Sequence, residues 1–125
     1  MDFPLDGRGI CWMIREMGKL TTHVLDTVSG KPAPGVQISL FRGGILLSQT
    51  VTNTDGRCDA PLLEGPDLID GDYELVFSIG RYFRDRGIES PFLDEVPVRF
   101  RMETSCNYHV PLVCSPWAYS TYRGS

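Results

Sequence analysis

The feature that most limits the fold is a period-two alternation of apolar residues that never outlasts one short strand before turn chemistry interrupts it. Val36, Ile38 and Leu40 alternate with Gln37 and Ser39; Tyr73, Leu75, Phe77 and Ile79 repeat the pattern, as do Val96, Val98, Phe100 and Met102. Successive side chains of a strand point to opposite faces, so each run has one apolar and one wetter face. Residues 29–35, with two prolines and flanking glycines, fit neither a helix nor a central strand, and Gly43-Gly44 and Asn53-Thr54-Asp55-Gly56 mark two further turns. Gly43-Gly44 leads into a strand over 45–51, and 61–71 is irregular. The last two strands, 108–114 and 118–122, are parted by Ser115-Pro116-Trp117. Residues 81–87 form the one plausible helix, about two turns ended by Gly87 and expected to cross from one sheet to the other. Seven or eight short strands with one short helix predict an all-β fold, a two-layer antiparallel β-sandwich.

At 125 residues the chain is sized for one domain with a real core. Its first sixteen residues, MDFPLDGRGICWMIRE, show neither alternation nor a helical stripe, and Met17 opens the patterned sequence. The organisation expected is a flexible N-terminal extension over 1–16 and a sandwich domain over 17–125. A net charge of -4 and a pI near 5.0 leave no basic footprint for nucleic acid. No apolar run is long enough to span a bilayer, so a membrane is not an expected partner. The four cysteines, Cys11, Cys58, Cys106 and Cys114, include no CxxC pair, which removes the spacing of zinc ribbons and thioredoxin-like motifs; no metal is expected. The N-terminus lacks a signal-peptide layout, and the cysteines read as reduced thiols of a cytoplasmic protein.

Both histidines fall within strand patterns. Tyr108, Val110, Leu112 and Cys114 form the apolar series of the penultimate strand, so His109 shares the opposite face with Asn107 and Pro111. Leu20 and Val24 divide the first strand in the same way and put His23 with Thr21 away from the core, although Leu25 blurs the pattern. Taken singly, each reads as an ordinary strand histidine; together, on adjacent outer faces, two imidazoles can move protons near neutral pH. Arg57 directly follows the Asn53–Gly56 turn, where a guanidinium can fork onto a carbonyl or a developing oxyanion. The tail, Tyr122-Arg123-Gly124-Ser125, keeps functional groups where chain ends are usually dull.

These residues fall into motifs. Leu20-Thr21-Thr22-His23-Val24-Leu25-Asp26 followed by Gly30-Lys31-Pro32-Ala33, then Thr54-Asp55-Gly56-Arg57, then Tyr108-His109-Val110-Pro111-Leu112 with Ser115-Pro116, closely resemble the signatures of the transthyretin-like family. The terminal Tyr122-Arg123-Gly124-Ser125 resembles the tetrapeptide that ends its 5-hydroxyisourate hydrolase branch. The resemblance covers about 18–125 and implies hydrolysis of a hydroxylated, oxidised purine, 5-hydroxyisourate, to an imidazoline carboxylate in urate degradation, without metal or organic cofactor. It implies a homotetramer, a dimer of dimers, with sites where the dimers meet. It carries His23, Arg57 and His109 over as catalytic positions, with Tyr122, Arg123, Gly124 and Ser125 binding substrate. Either histidine can serve as the base. Relatives in this family can be periplasmic or peroxisomal; neither address is visible here. The alternative on the same scaffold is a transthyretin-type binder of thyroid hormone-like molecules, which favours a mainly apolar channel. An immunoglobulin-like adhesion module lacks support, because Trp12 and Trp117 lie outside any cysteine–tryptophan–cysteine spacing.

Overall fold

A computed structural model describes residues 18–124; the extension expected over 1–16, together with Met17 and Ser125, lies outside the described residues. The alternating runs become strands β1 (Lys19–Asp26), β2 (Lys31–Pro32), β3 (Gln37–Arg42), β4 (Ile45–Val51), β5 (Leu63–Glu64), β6 (Gly71–Ser78), β7 (Glu95–Met102), β8 (Tyr108–Cys114) and β9 (Tyr119–Thr121), with one helix, α1 (Ile79–Asp85). One sheet has the order β2-β1-β8-β9, with β5 paired to the start of β1; the other has the order β4-β3-β6-β7. This is the two-layer sandwich the alternation predicts. Val36, Ile38, Leu40, Leu75, Phe77, Val96, Met102 and Leu112 are sealed between the layers, and full burial of such a side chain is worth about 1.5–3 kcal/mol.

Three expectations change. The helix does not cross between sheets: it begins at Ile79, earlier than expected, and joins β6 to β7, which are antiparallel neighbours in one sheet. Ile79, Tyr82 and Phe83 are buried, so α1 caps the sandwich with the apolar residues that alternation assigned in part to a longer strand. Its Tyr82 hydroxyl donates to Asp26 Oδ2 at 2.8 Å, and burial with the Asp26 carboxylate pushes the Tyr82 pKa up to about 12. The irregular stretch 61–71 contains β5 and a single 3-10 turn at Gly65–Asp67. Finally, the sandwich is not wholly antiparallel, because β1 and β8 run parallel, with Thr21 opposite His109 and His23 opposite Pro111. A parallel pair needs a long crossover; here the whole of the other sheet and α1 lie between its two strands in the chain, so no local signal announces it.

The outer face of the second sheet is charged. Arg99 Nε meets Glu74 Oε2 at 2.8 Å and Arg101 Nε meets Asp72 Oδ1 at 3.0 Å, across the β6–β7 register that sets each pair opposite. Both arginines are exposed, and solvent screens such pairs strongly.

Candidate active site

The site starts from strand parity. In β1 the inward positions are Leu20, Thr22, Val24 and Asp26, all buried, which leaves Thr21, His23 and Leu25 half-buried on the outer face. Inward Thr22 is tolerated because its hydroxyl donates to the Val110 carbonyl at 2.7 Å. In β8 Val110, Leu112 and Cys114 go inward, and His109 and Pro111 take the outer side. The parallel register then sets His109 beside Thr21, so His23 stands one strand across and two residues along from His109 on a single face.

Arg57 reaches this face through its turn. Asn53 Oδ1 accepts from the backbone N–H groups of Asp55, at 2.9 Å, and Arg57, at 3.2 Å, while the Asn53 N–H donates to the Arg57 carbonyl at 2.7 Å. The closed turn docks on β1, where the Val24 N–H donates to the Gly56 carbonyl at 2.8 Å. Gly56 has φ +73°, and a Cβ there would lie 2.5 Å from the Val24 carbonyl oxygen, so only glycine permits this approach. The docking also fixes His23: its Nε2 lies 2.8 Å from the Asp55 carbonyl oxygen. A carbonyl only accepts, so that nitrogen carries a proton, and Nδ1 is the acceptor whenever the ring is neutral. Arg57 itself sits in irregular chain that leads to β5.

Lys19, Thr21, Arg57, Asn107, Tyr108 and His109 line an open cleft of about 380 Å³. His109 is held on the Nδ1 side by Thr21 Oγ1 at 2.9 Å. Burial, the Arg57 charge and His23, in that order, hold the His109 pKa below its ordinary 6.5, because each disfavours an added positive charge. The ring is therefore neutral at pH 7 and able to accept a proton.

The tail residues divide. The Gly124 N–H donates to the His109 carbonyl at 2.7 Å, forming a bridge that extends the sheet beyond β9. A Cβ on Gly124 would come within 2.6 Å of His109 Cδ2, so the tail lies flat against that ring. Arg123 places its guanidinium 4.4 Å from the centre of the Tyr108 ring and donates to the Asn107 carbonyl at 3.3 Å. Tyr122 is exposed, and with Arg123 it lines a neighbouring groove beside Val98 and Phe100 of β7 rather than the cleft of His109. Ser125 lies outside the described residues. Thus Arg57, His109 and Gly124 come together with His23 beside them, whereas Tyr122 and Arg123 face the gap between the sheets. Lys19, Thr21, Asn107 and Tyr108 join the cleft without having been singled out as site residues; parity already placed Thr21 and Asn107 on the histidine faces, and only the β1–β8 register made them neighbours. Among the described residues no three His, Cys, Asp or Glu side chains gather so as to hold a metal ion.

Known proteins are similar to this chain along most of its length. The chain is 54% identical over 115 residues to a 5-hydroxyisourate hydrolase of Mesorhizobium japonicum, an alignment that covers 86% of this chain and 93% of the relative. A crystal structure of an (S)-allantoin synthase superposes with a TM-score of 0.83 at 44% identity, covering 88% of this chain, which spans only 44% of that longer protein. A Klebsiella pneumoniae 5-hydroxyisourate hydrolase superposes with a TM-score of 0.78 at 38% identity, covering 87% of this chain and all of the other. The model of the HIUase/Transthyretin family matches residues 20–124. The chain belongs to the HIUase/Transthyretin family.

Proposed function

We propose that this protein is an enzyme that hydrolyses 5-hydroxyisourate, adding water across a ring amide C–N bond and releasing an imidazoline carboxylate in purine breakdown. The observation that carries the reading is the convergence on one sheet face of a neutral, pKa-depressed His109, a second imidazole at His23 and the Arg57 guanidinium. It is supported by the identity with curated hydrolases that extends over most of the chain.

In the mechanism, His109 accepts a proton from water as its oxygen attacks the ring carbonyl carbon. Negative charge then builds on the carbonyl oxygen, where Arg57 donates hydrogen bonds; a preorganised donor of this kind contributes about 3 kcal/mol. As the C–N bond breaks, the proton held by His109 passes to the leaving nitrogen, and the carbonyl carbon becomes a carboxylic acid that loses its proton to solvent and stays on the opened product as the carboxylate. His23, with Nε2–H tied to the Asp55 carbonyl, offers Nδ1 as an acceptor that holds the water. Gly124 closes the side of the cleft against His109, and with it Tyr122, Arg123 and Ser125 bind substrate. No cofactor enters the reaction.

The proposal includes a homotetramer, a dimer of dimers, that walls the open cleft and raises the strength of its electrostatic contacts by excluding water. Exposed Phe92, Trp117 and Tyr122 are apolar surface for such docking. A cytoplasmic setting completes the proposal. A hormone-binding role on this scaffold is disfavoured by the polarity of the cleft, which holds the charged Lys19 and Arg57 beside His109.

The test is to generate 5-hydroxyisourate in place with urate oxidase and follow its ultraviolet decay with and without the protein. Acceleration that is lost by about 10²–10³-fold in each of His23→Ala, Arg57→Ala and His109→Ala, with the oligomer intact, is the expected result. Spontaneous decay rates in the presence of the wild-type protein, or wild-type turnover in all three variants, would sink the reading.

A further inference from the structure

We propose that Thr21 is a positioning residue for this reaction: its hydroxyl accepts the Nδ1 proton of His109 and so leaves Nε2 as the nitrogen that takes the proton from water. The inference rests on the reading of His109 as the base.

A neutral imidazole has one protonated nitrogen and one basic nitrogen, and the hydrogen bond made by one decides the role of the other. Thr21 Oγ1 lies 2.9 Å from His109 Nδ1, and a hydroxyl can donate or accept there. Were Thr21 to donate, Nε2 would hold the proton and the ring would have no free lone pair, since Nδ1 is already engaged. Acceptance by Thr21 is the arrangement that leaves a base. It also survives the chemistry, because the imidazolium formed during turnover keeps the same Nδ1–H bond and the ring need not turn.

The ring has little freedom to leave this position. Its opposite edge, Cδ2, faces Gly124 so closely that a Cβ there would stand 2.6 Å away, and its backbone carbonyl is tied to the Gly124 N–H. The partner on the Nδ1 side is neutral. A carboxylate in its place would favour the imidazolium and work against burial, Arg57 and His23, all of which favour the neutral ring; a hydroxyl orients the ring without adding charge. Lys19 also lines the cleft. Threonine meets the steric demand too, since a β-branched side chain suits a half-buried strand position. His23 supplies the contrast. Its Nε2 faces a carbonyl that only accepts, so the two histidines are held in opposite tautomers, His23 protonated at Nε2 and His109 at Nδ1.

The experiment compares the full-length wild type with Thr21→Val, which keeps the shape and removes the hydroxyl, and Thr21→Ser, which restores it. Nitrogen-15 spectra of labelled histidine, recorded at a pH where the rings are neutral, read the tautomer directly. Wild type is expected to show His109 protonated at Nδ1. Thr21→Val is expected to move both His109 nitrogens toward averaged positions and to lower kcat about tenfold, with KM within about twofold; Thr21→Ser should recover the tautomer and most of the rate. A wild-type His109 protonated at Nε2, or Thr21→Val spectra and kcat equal to wild type, would overturn the proposal. Full turnover by His109→Ala is a separate failure: it removes His109 as the base and leaves the tautomer result standing.

Discussion

Gly56 is where the stability of the fold and the geometry of the cleft meet, and replacing it by alanine perturbs both in proportions that the structure sets. Gly56 has φ +73°, so any L-residue there adopts a left-handed conformation at a cost of about 1–2 kcal/mol. Gly30 has φ +74°, and a methyl added there would meet nothing within 4 Å, so Gly30→Ala carries the same conformational cost and no contact. The difference between the two variants isolates the docking of the turn. The new methyl at Gly56 would lie 2.5 Å from the Val24 carbonyl oxygen, whereas ordinary contact begins at 3.4 Å, so the turn must retreat by about 1 Å. That retreat breaks or stretches the Val24–Gly56 hydrogen bond, now 2.8 Å, adding about 0.5–1.5 kcal/mol to the strain. Gly56→Ala should melt roughly 2–6 °C below Gly30→Ala, taking about 4 °C per kcal/mol and about 0.5–1.5 kcal/mol of extra loss. The same retreat withdraws Arg57 and the Asp55 carbonyl from the histidine face, and a 1 Å misplacement costs about 10²-fold in rate. Melting curves and kcat/KM for freshly made 5-hydroxyisourate should therefore show a two-part loss in Gly56→Ala and only a thermal loss in Gly30→Ala. Equal melting temperatures and equal kcat/KM in the two variants would refute the claim that turn docking positions the arginine.

The acid limb of the kcat/KM profile should lie below pH 6.5, because His109 must be neutral to act and its pKa is held down by burial, Arg57 and His23; Arg57→Gln should move that limb upward while lowering the rate. The same shift links to stability with a definite sign: the unfolded chain binds this proton more readily, so the contribution is complete above pH 6.5 and fades as pH falls through the folded value, which acid melting curves will read. Gly124→Ala places a methyl 2.6 Å from His109 Cδ2, and kcat should fall about tenfold or more while the melting temperature changes little, as ring displacement rather than unfolding demands. Tyr82→Phe removes the donor to Asp26 Oδ2 and leaves a buried carboxylate with the Val28 and Ser29 N–H groups alone; denaturant unfolding should show a loss of about 1–3 kcal/mol, with kcat/KM unchanged because Tyr82 does not line the cleft of His109.

Much of this architecture is written in local pattern. Side-chain parity is a property of each strand alone, so Val110, Leu112 and Cys114 on one side already assign His109 to the other, and Leu20 with Val24 does the same for His23. Gly43-Gly44 and Asn53–Gly56 mark turns because their conformational needs are intrinsic to the residues that fill them. The helix is legible in part: its stop at Gly87 follows from a positive φ of 75°, while its start depends on burial, and Ile79 continues the strand alternation so well that pattern alone places it in β6.

What tertiary structure alone decided is which outer faces are neighbours. The β1–β8 pairing joins residues 88 apart in sequence, as in the Thr21–His109 contact, and its parallel register depends on the other sheet folding between them. Alternation specifies a face but carries no information about the strand that will lie alongside, because pairing is settled by the joint burial of all the inward faces. For the same reason the sequence offered Tyr122 to Gly124 as one block, whereas the folded chain sends Gly124 to His109 and turns Tyr122 and Arg123 toward β7.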